Sequence, residues 1–308
     1  MREPTHIPVL VEEVLAALQP RPGGRYVDGT VGLGGHAAAI LQASSPTGWL
    51  FGCDVDGAAL EVAAQRLAQF AGRFELRRGN FAQLADWLPA NSVDGVLLDL
   101  GLSSAQIQAA ERGFSFLLDG PLDMRMDDRQ PTTAAHLVNG LSQAALEKLF
   151  RELGEEPRAR QIARAIVQTR RLRPLETTGQ LARLIERVAP RRGARLHPAT
   201  RVFQALRIAV NDELGSLRRG LEAAAVVLKP GGRLAVICFQ SGEDRVIRDW
   251  MRQPAQPVEW AQGSGSAAQP TGADRMRWVH RKAIRPSPAE VAANARARSA
   301  RLRVLEKL

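Results

Sequence analysis

Three carboxylates each stand at the end of a short apolar run. Asp28 closes Tyr26-Val27-Asp28, Asp54 follows Trp49-Leu50-Phe51-Gly52-Cys53, and Asp99 ends Val93-Asp94-Gly95-Val96-Leu97-Leu98-Asp99. In open parallel sheets ligands bind outside the strand C-termini, so the three acids are expected along one edge. The first acid runs into Gly29-Thr30-Val31-Gly32-Leu33-Gly34-Gly35-His36, ahead of an alanine-rich segment. Glycines at 29, 32, 34 and 35 remove Cβ atoms that would hold a ligand off the backbone, and the first N–H groups of the next helix are unpaired donors. A dinucleotide fingerprint would space three glycines for a pyrophosphate on that helix. Asp-x-x-x-Gly-x-Gly with an acid at its lip suits a ligand that has no phosphate and carries a positive charge. The sulfonium cofactor S-adenosylmethionine (SAM) is such a ligand.

The elements that position these acids can be read in order. Residues 8–19 have Val11, Val14, Leu15 and Leu18 at helical spacing, ended by Pro20. After the glycine turn, a helix from about residue 37 to 41 leads to a strand over 49–53. Asp54 is expected to meet ribose hydroxyls, and Asp56 to cap a helix over 58–70. A third strand over 74–78 precedes Gly79-Asn80-Phe81, where the ring either lies against a flat adenine or packs in the core. The run 93–99 has the continuous apolar character of a strand buried on both faces. The next convincing strand, 233–239, comes more than a hundred residues later, far more chain than one crossover needs. Helical patterning over 141–153, 158–172 and 176–189 fills much of that gap, and a single long helix over 199–228 is expected to lead back to the sheet. A charged helix over 243–252, a Gly/Ser/Ala/Gln-rich loop over 253–271 and strands over 276–283 and 301–306 follow.

The 308 residues allow about two domains. The longest apolar runs are strand-sized, which argues against a membrane span. Cys53 and Cys238 lie in apolar strand-like runs, as expected of buried free thiols rather than a disulfide or a metal site, and a reducing cytoplasm fits them. The net charge of +10 is unevenly placed: residues 129–205 hold fifteen Lys/Arg against six Asp/Glu, and 275–308 hold ten against two. The remainder is acidic, and basic faces of this kind usually meet polyanions.

Seven stretches together resemble a known family. They are His6-Ile7-Pro8-Val9-Leu10, the 28–36 turn, Leu97-Leu98-Asp99-Leu100-Gly101-Leu102-Ser103-Ser104, Glu111-Arg112-Gly113-Phe114-Ser115-Phe116, Gly120-Pro121-Leu122-Asp123-Met124-Arg125-Met126-Asp127, His197-Pro198-Ala199-Thr200-Arg201 with Phe203-Gln204-Ala205, and Arg296-Ala297-Arg298-Ser299. The family is ribosomal RNA small subunit methyltransferase H (MraW), and the resemblance covers nearly the whole chain. It implies a class I SAM-dependent methyltransferase fold, Rossmann-like with a mostly parallel seven-stranded sheet, built from 1–105 and 206–308. An inserted small all-helical, basic domain over 106–205 would recognise substrate. It also implies transfer of methyl from SAM to the exocyclic N4 of a decoding-centre cytidine in 16S rRNA of the small ribosomal subunit, with no metal. The family's cofactor contacts fall on Gly34, Gly35, His36, Asp54, Phe81, Asp99 and Gln106. One departure concerns Phe239-Gln240-Ser241-Gly242-Glu243-Asp244-Arg245, where the family usually has histidine at position 240. Gln240 cannot titrate.

The amino nitrogen of cytosine is a poor nucleophile because its lone pair is delocalised into the ring, so catalysis must come mostly from placement. A base within folded RNA must first be unstacked. Asp99 is the candidate catalytic residue, either orienting SAM or accepting a hydrogen bond from the amino group. Phe114 or Phe116 could stack on a base or pack the insert. Arg170, Arg171, Arg173, Arg191, Arg192, Arg195 and Arg201 are candidate phosphate contacts. Two other readings use the same features: an NAD-dependent oxidoreductase, and a non-catalytic RNA-binding assembly factor.

Overall fold

The computed structural model describes residues 8–190, 197–252 and 276–308. His6, Ile7 and the loop expected over 253–271 lie outside the described residues. The chain divides into two compact units, Met1–Gly101 with Leu214–Leu308, and Leu102–Glu213.

The first unit is built on a seven-stranded sheet in the order β3-β2-β1-β4-β5-β7-β6. Its strands are β1 Arg25–Asp28, β2 Trp49–Asp54, β3 Phe74–Arg78, β4 Val93–Asp99, β5 Leu228–Cys238, β6 Met276–Trp278 and β7 Arg301–Lys307. The first five run parallel, and β7 is antiparallel to both β5 and β6. Strand side chains alternate between faces. Tyr26, Leu50, Leu97, Ala235 and Ile237 bury against α1 (Val11–Leu18) and α2 (Gly35–Ala43), through Val14, Leu18, Ile40 and Leu41. Val27, Phe51, Val96, Leu98 and Val236 bury on the other face against α4 (Leu84–Trp87), α11 (Glu213–Val227) and α12 (Ser241–Trp250), through Leu84, Leu217, Leu221, Ile247 and Trp250. Both faces are covered, as the continuous apolar run of β4 requires.

The long helix expected over 199–228 is two helices, α10 Thr200–Val210 and α11. The chain breaks at Asp212, whose φ is 46°. Asn211 stops the first helix by spending its side chain on a distant loop. Its Nδ2 donates to the Met124 carbonyl at 2.8 Å, and its Oδ1 accepts from Met126 N at 2.7 Å.

The second unit is helical: α5 Ser104–Gln108, α6 Ala134–Gly140, α7 Gln143–Gly154, α8 Ala159–Arg170, α9 Thr178–Val188 and α10. Its core joins Leu146, Phe150, Ile162, Ile166, Leu181, Ile185, Val202 and Leu206. The compact helical unit starts at Leu102 and, because α10 packs on this core, runs on to Glu213, past the end of the 106–205 segment. The loop through Gly120-Pro121-Leu122-Asp123-Met124-Arg125 is held from within. Arg125 pairs with Asp123 through both Nε and Nη2 at 2.8 Å, Arg112 donates to the carbonyls of Arg125 and Met126, and Met124 takes a left-handed φ of 62°.

The departure at position 240 has a structural reading. The Gln240 side chain accepts from the Glu243 N–H, and Glu243 Oε2 accepts from Phe239 N at 2.8 Å and Gln240 N at 3.1 Å, a reciprocal cap on α12. A cap needs an acceptor and no titratable group. Next to it, buried Asp244 accepts from Arg303 Nε at 2.8 Å and lies 3.2 Å from Arg248 Nε. Asp244→Asn is expected to cost about 2 kcal/mol by weakening a buried charged pair. Urea denaturation checks this, and an unchanged midpoint at equal slope would contradict it.

Candidate active site

The register places the acids. Asp28 lies opposite Gly52 of β2 and Leu97 of β4, so Asp54 and Asp99 each stand two residues further along the neighbouring strands. Residues two apart share a face, and all three carboxylates therefore rise from the face that α2 covers. That geometry brings the imidazole of His36, in the first turn of α2, to Asp99: Nε2 is 3.5 Å from Oδ2. The contact is a loose ion pair, longer than a good hydrogen bond.

Asp28 is 1% exposed; its Oδ1 accepts from Thr30 N at 3.1 Å. Burial pushes its pKa up to about 7, with Asp99 and Asp54 also raising it, against the opposing effects of His36 and the Thr30 N–H. For His36, burial acts to lower the pKa, but Asp99 and Asp28 outweigh it and the net shift is upward. Asp28 Oδ2, both ring nitrogens of His36 and Asp99 Oδ1 are buried without a hydrogen-bond partner among the described residues. Orphaned buried polar atoms are costly, and four in one place mark a site built to receive a polar ligand.

Asp54 is committed differently. Its Oδ2 accepts from Gly32 N at 2.8 Å and its Oδ1 from Asp56 N at 2.9 Å, so the carboxylate ties the glycine turn to the end of β2. Burial raises its pKa, opposed by the backbone N–H groups of Asp56 and Gly32. Asp56 caps α3 (Gly57–Leu67), accepting from Ala58 N at 3.1 Å, as its position implies.

The glycines divide in a way that spacing did not reveal. A Cβ on Gly29 would lie 2.5 Å from Leu98 and 2.9 Å from Phe81, on Gly34 3.2 Å from Ala63, and on Gly35 2.9 Å from Pro8. Those three therefore let protein pack on protein, correcting the expectation that all four clear space for a ligand. Gly34 in addition has φ 79° at the N-cap of α2. Gly32, at φ 51°, meets only the Thr30 carbonyl at 3.9 Å and is the one that leaves space open.

Phe81 is half-buried, one ring edge set against Gly220, where a Cβ would lie 2.3 Å away. Core packing accounts for that edge. Gln106 sits in α5, its Oε1 accepting from Ser103 N at 3.0 Å in a capping box. Thr30 was not singled out from sequence, yet its Oγ1 accepts from Asp99 N at 2.6 Å and pins the end of β4 to the turn. A lone threonine in a glycine turn carries no signal of this.

Among the residues proposed to meet substrate, Phe114 is taken up in the helical core at 8% exposure, which removes it as a stacking platform. Phe116 stacks on His197 at 4.4 Å and meets Phe203 edge-on at 5.2 Å. Arg170 spends its guanidinium on the carbonyls of Val138 and Leu141, both at 2.6 Å, closing the C-terminal end of α6. Arg171, Arg173 and Arg201 are exposed, and Arg191, Arg192 and Arg195 lie outside the described residues. Arg173 lines an open cleft of about 530 Å³ together with Arg183 and Arg187, with Glu186 the one carboxylate among the lining residues. That cleft is distinct in character from the acid cluster: its arginines suit an anion, whereas the three acids suit a cation.

The parallel sheet with its antiparallel last strand, and an acid-lipped cradle at the strand C-termini, define a class I SAM-dependent methyltransferase. The orphaned carboxylate oxygens and the space at Gly32 fit a cofactor bearing a sulfonium charge. Residues 3–308 match the MraW methylase family. The chain is 51% identical to ribosomal RNA small subunit methyltransferase H of Symbiobacterium thermophilum, covering 98% of this chain and 96% of that protein. It is 52% identical to the protein of the same name from Geobacter sulfurreducens, covering 99% of each. The chain belongs to the MraW methylase family.

Proposed function

We propose that the protein transfers a methyl group from SAM to the exocyclic N4 of a decoding-centre cytidine in 16S rRNA of the small ribosomal subunit. The observation that carries this reading is the full-length match to relatives named as small-subunit ribosomal RNA methyltransferases, joined to an acid-lipped cradle suited to a cationic methyl donor. Bound SAM supplies an electrophilic methyl on sulfur. The chain's own part is placement. Gly34, Gly35 and His36 form the start of α2 against the cofactor, Asp54 meets the ribose hydroxyls, and the half-buried Phe81 borders the adenine. Gln106 is the further contact that the family implies. Asp99, fixed through its backbone N–H to Thr30, orients the cofactor or accepts a hydrogen bond from the amino group that is methylated. The helical unit, Leu102–Glu213, supplies RNA contacts through Arg171, Arg173 and Arg201, with the partly exposed Phe116 beside His197.

Nucleoside mass spectrometry of 16S rRNA from a deletion strain, with and without the gene restored, tests the reaction. Loss and return of N4-methylation at one cytidine is expected; unchanged rRNA would refute it and favour a non-catalytic assembly role. Titration with SAM and with NAD separates methyl from hydride chemistry.

Phosphate contacts predict strong salt dependence. The logarithm of affinity for a 16S rRNA fragment should fall linearly with the logarithm of salt concentration, and Arg171→Ala, Arg173→Ala and Arg201→Ala should each reduce the slope by about 0.7–0.9. Fluorescence anisotropy across a salt series measures it, and a flat response would remove these arginines from the interface.

A further inference from the structure

The acid cluster has an unusual charge balance. Asp28, Asp54 and Asp99 surround one ionisable base, His36, and the groups acting most strongly on Asp28 include no lysine or arginine. The other titratable group packed there is Cys53, whose Sγ donates to the Gly29 carbonyl at 3.5 Å and whose thiol burial holds neutral. Asp54 is already engaged by the backbone N–H groups of Gly32, Asp56 and Val55. Among the described residues, the unmatched buried polar atoms of this cluster belong to Asp28, His36 and Asp99. Protons on the imidazole and on the buried Asp28 carboxyl limit the repulsion within the cluster, and both groups are shifted toward their protonated forms.

We propose that the Asp28–His36–Asp99 cluster is a charge sensor that distinguishes the cationic methyl donor from its neutral thioether product by giving up a proton to the former and not to the latter. This rests on the reading of the cradle as a SAM site. A sulfonium charge arriving beside the cluster replaces a proton as the counter-ion of the carboxylates. S-adenosylhomocysteine (SAH) has no such charge, so its entry leaves the protons in place. Lower proton occupancy then favours the donor over the product, and Asp28, which no family contact includes, becomes a specificity determinant.

Calorimetric titration of the full chain with SAM, SAH and sinefungin, between pH 5.5 and 7.0, tests this. Free amino groups of the ligands stay largely protonated in that range, so proton exchange reports on the protein. SAM, and sinefungin with an ammonium in place of the sulfonium, should tighten by about tenfold across it, whereas SAH should change by less than about twofold. Titrations in two buffers of different ionisation enthalpy should count a proton released with SAM and none with SAH. Asp28→Asn should flatten the SAM dependence; the proton count on the unmodified protein stands if that variant folds poorly. Parallel pH profiles for SAM and SAH, or no proton release with SAM, would overturn the sensor while leaving the cofactor site intact. Failure of SAM to bind at any pH would remove the site assignment and the sensor together.

Discussion

Asp99→Ala is expected to lower methyl transfer by about 100-fold or more while leaving the fold intact. The side chain lies at the C-terminal end of β4, outside the apolar clusters on either face of the sheet, so its loss is expected to cost little stability. What disappears is a carboxyl group held in place at the cradle. Asp99 N is held by Thr30 Oγ1, Oδ1 is buried without a partner, and Oδ2 faces His36. A group preorganised in this way needs no rearrangement when charge shifts beside it, and deleting one such electrostatic partner in an enzyme typically costs about 10²–10³ in rate. Asp99→Asn separates two causes: if the carboxylate acts by charge, Asn behaves as Ala does, and if it acts by accepting one hydrogen bond, Asn retains part of the activity. Initial rates on small-subunit particles, paired with SAM affinity by calorimetry, give the readout. Wild-type values of both for Asp99→Ala would place the essential group elsewhere.

The second large effect is on stability. Asp28 is fully buried and its pKa is raised from 3.8 to about 7, so the folded state holds a proton that the unfolded carboxylate has already lost at neutral pH. A raised folded-state pKa gives stability that is present in acid and is lost as pH rises from about 4 through about 7. Asp28→Asn keeps the shape and removes the titration. It should therefore stabilise the ligand-free protein by about 2–4 kcal/mol at pH 8 and by little at pH 4. Cofactor affinity should fall in the same variant, since the site keeps a destabilising charge for the ligand's benefit. Urea denaturation at the two pH values checks the difference; equal gains at both would show that packing, not ionisation, is responsible.

Legibility in the sequence followed the range of the determining interaction. The bounds of β4, Val93–Asp99, were plain because a strand buried on both faces must be apolar throughout. Asp56 announced itself as a cap because capping is local. The break between α10 and α11 was not legible: apolar periodicity runs through it, and the cause is a carboxamide that reaches residues 124 and 126. Arg170 and Phe114 were equally ambiguous, since a guanidinium that closes a helix and a ring in a core look in sequence like groups free to meet RNA.

By itself the sequence determined the chemistry of the cradle: three acids at strand ends, a glycine turn and a family pattern, all fixed by residue type and short spacing. Only the tertiary structure decided which of those residues meet. Parallel register put the acids on one face, α2 laid His36 over Asp99, and Ala63, Pro8 and Leu98 claimed three of the four glycines. Spacing along a chain specifies what can be offered at an edge, whereas the contacts that desolvate a charge or fill the space beside a glycine come from elements that only the fold brings together.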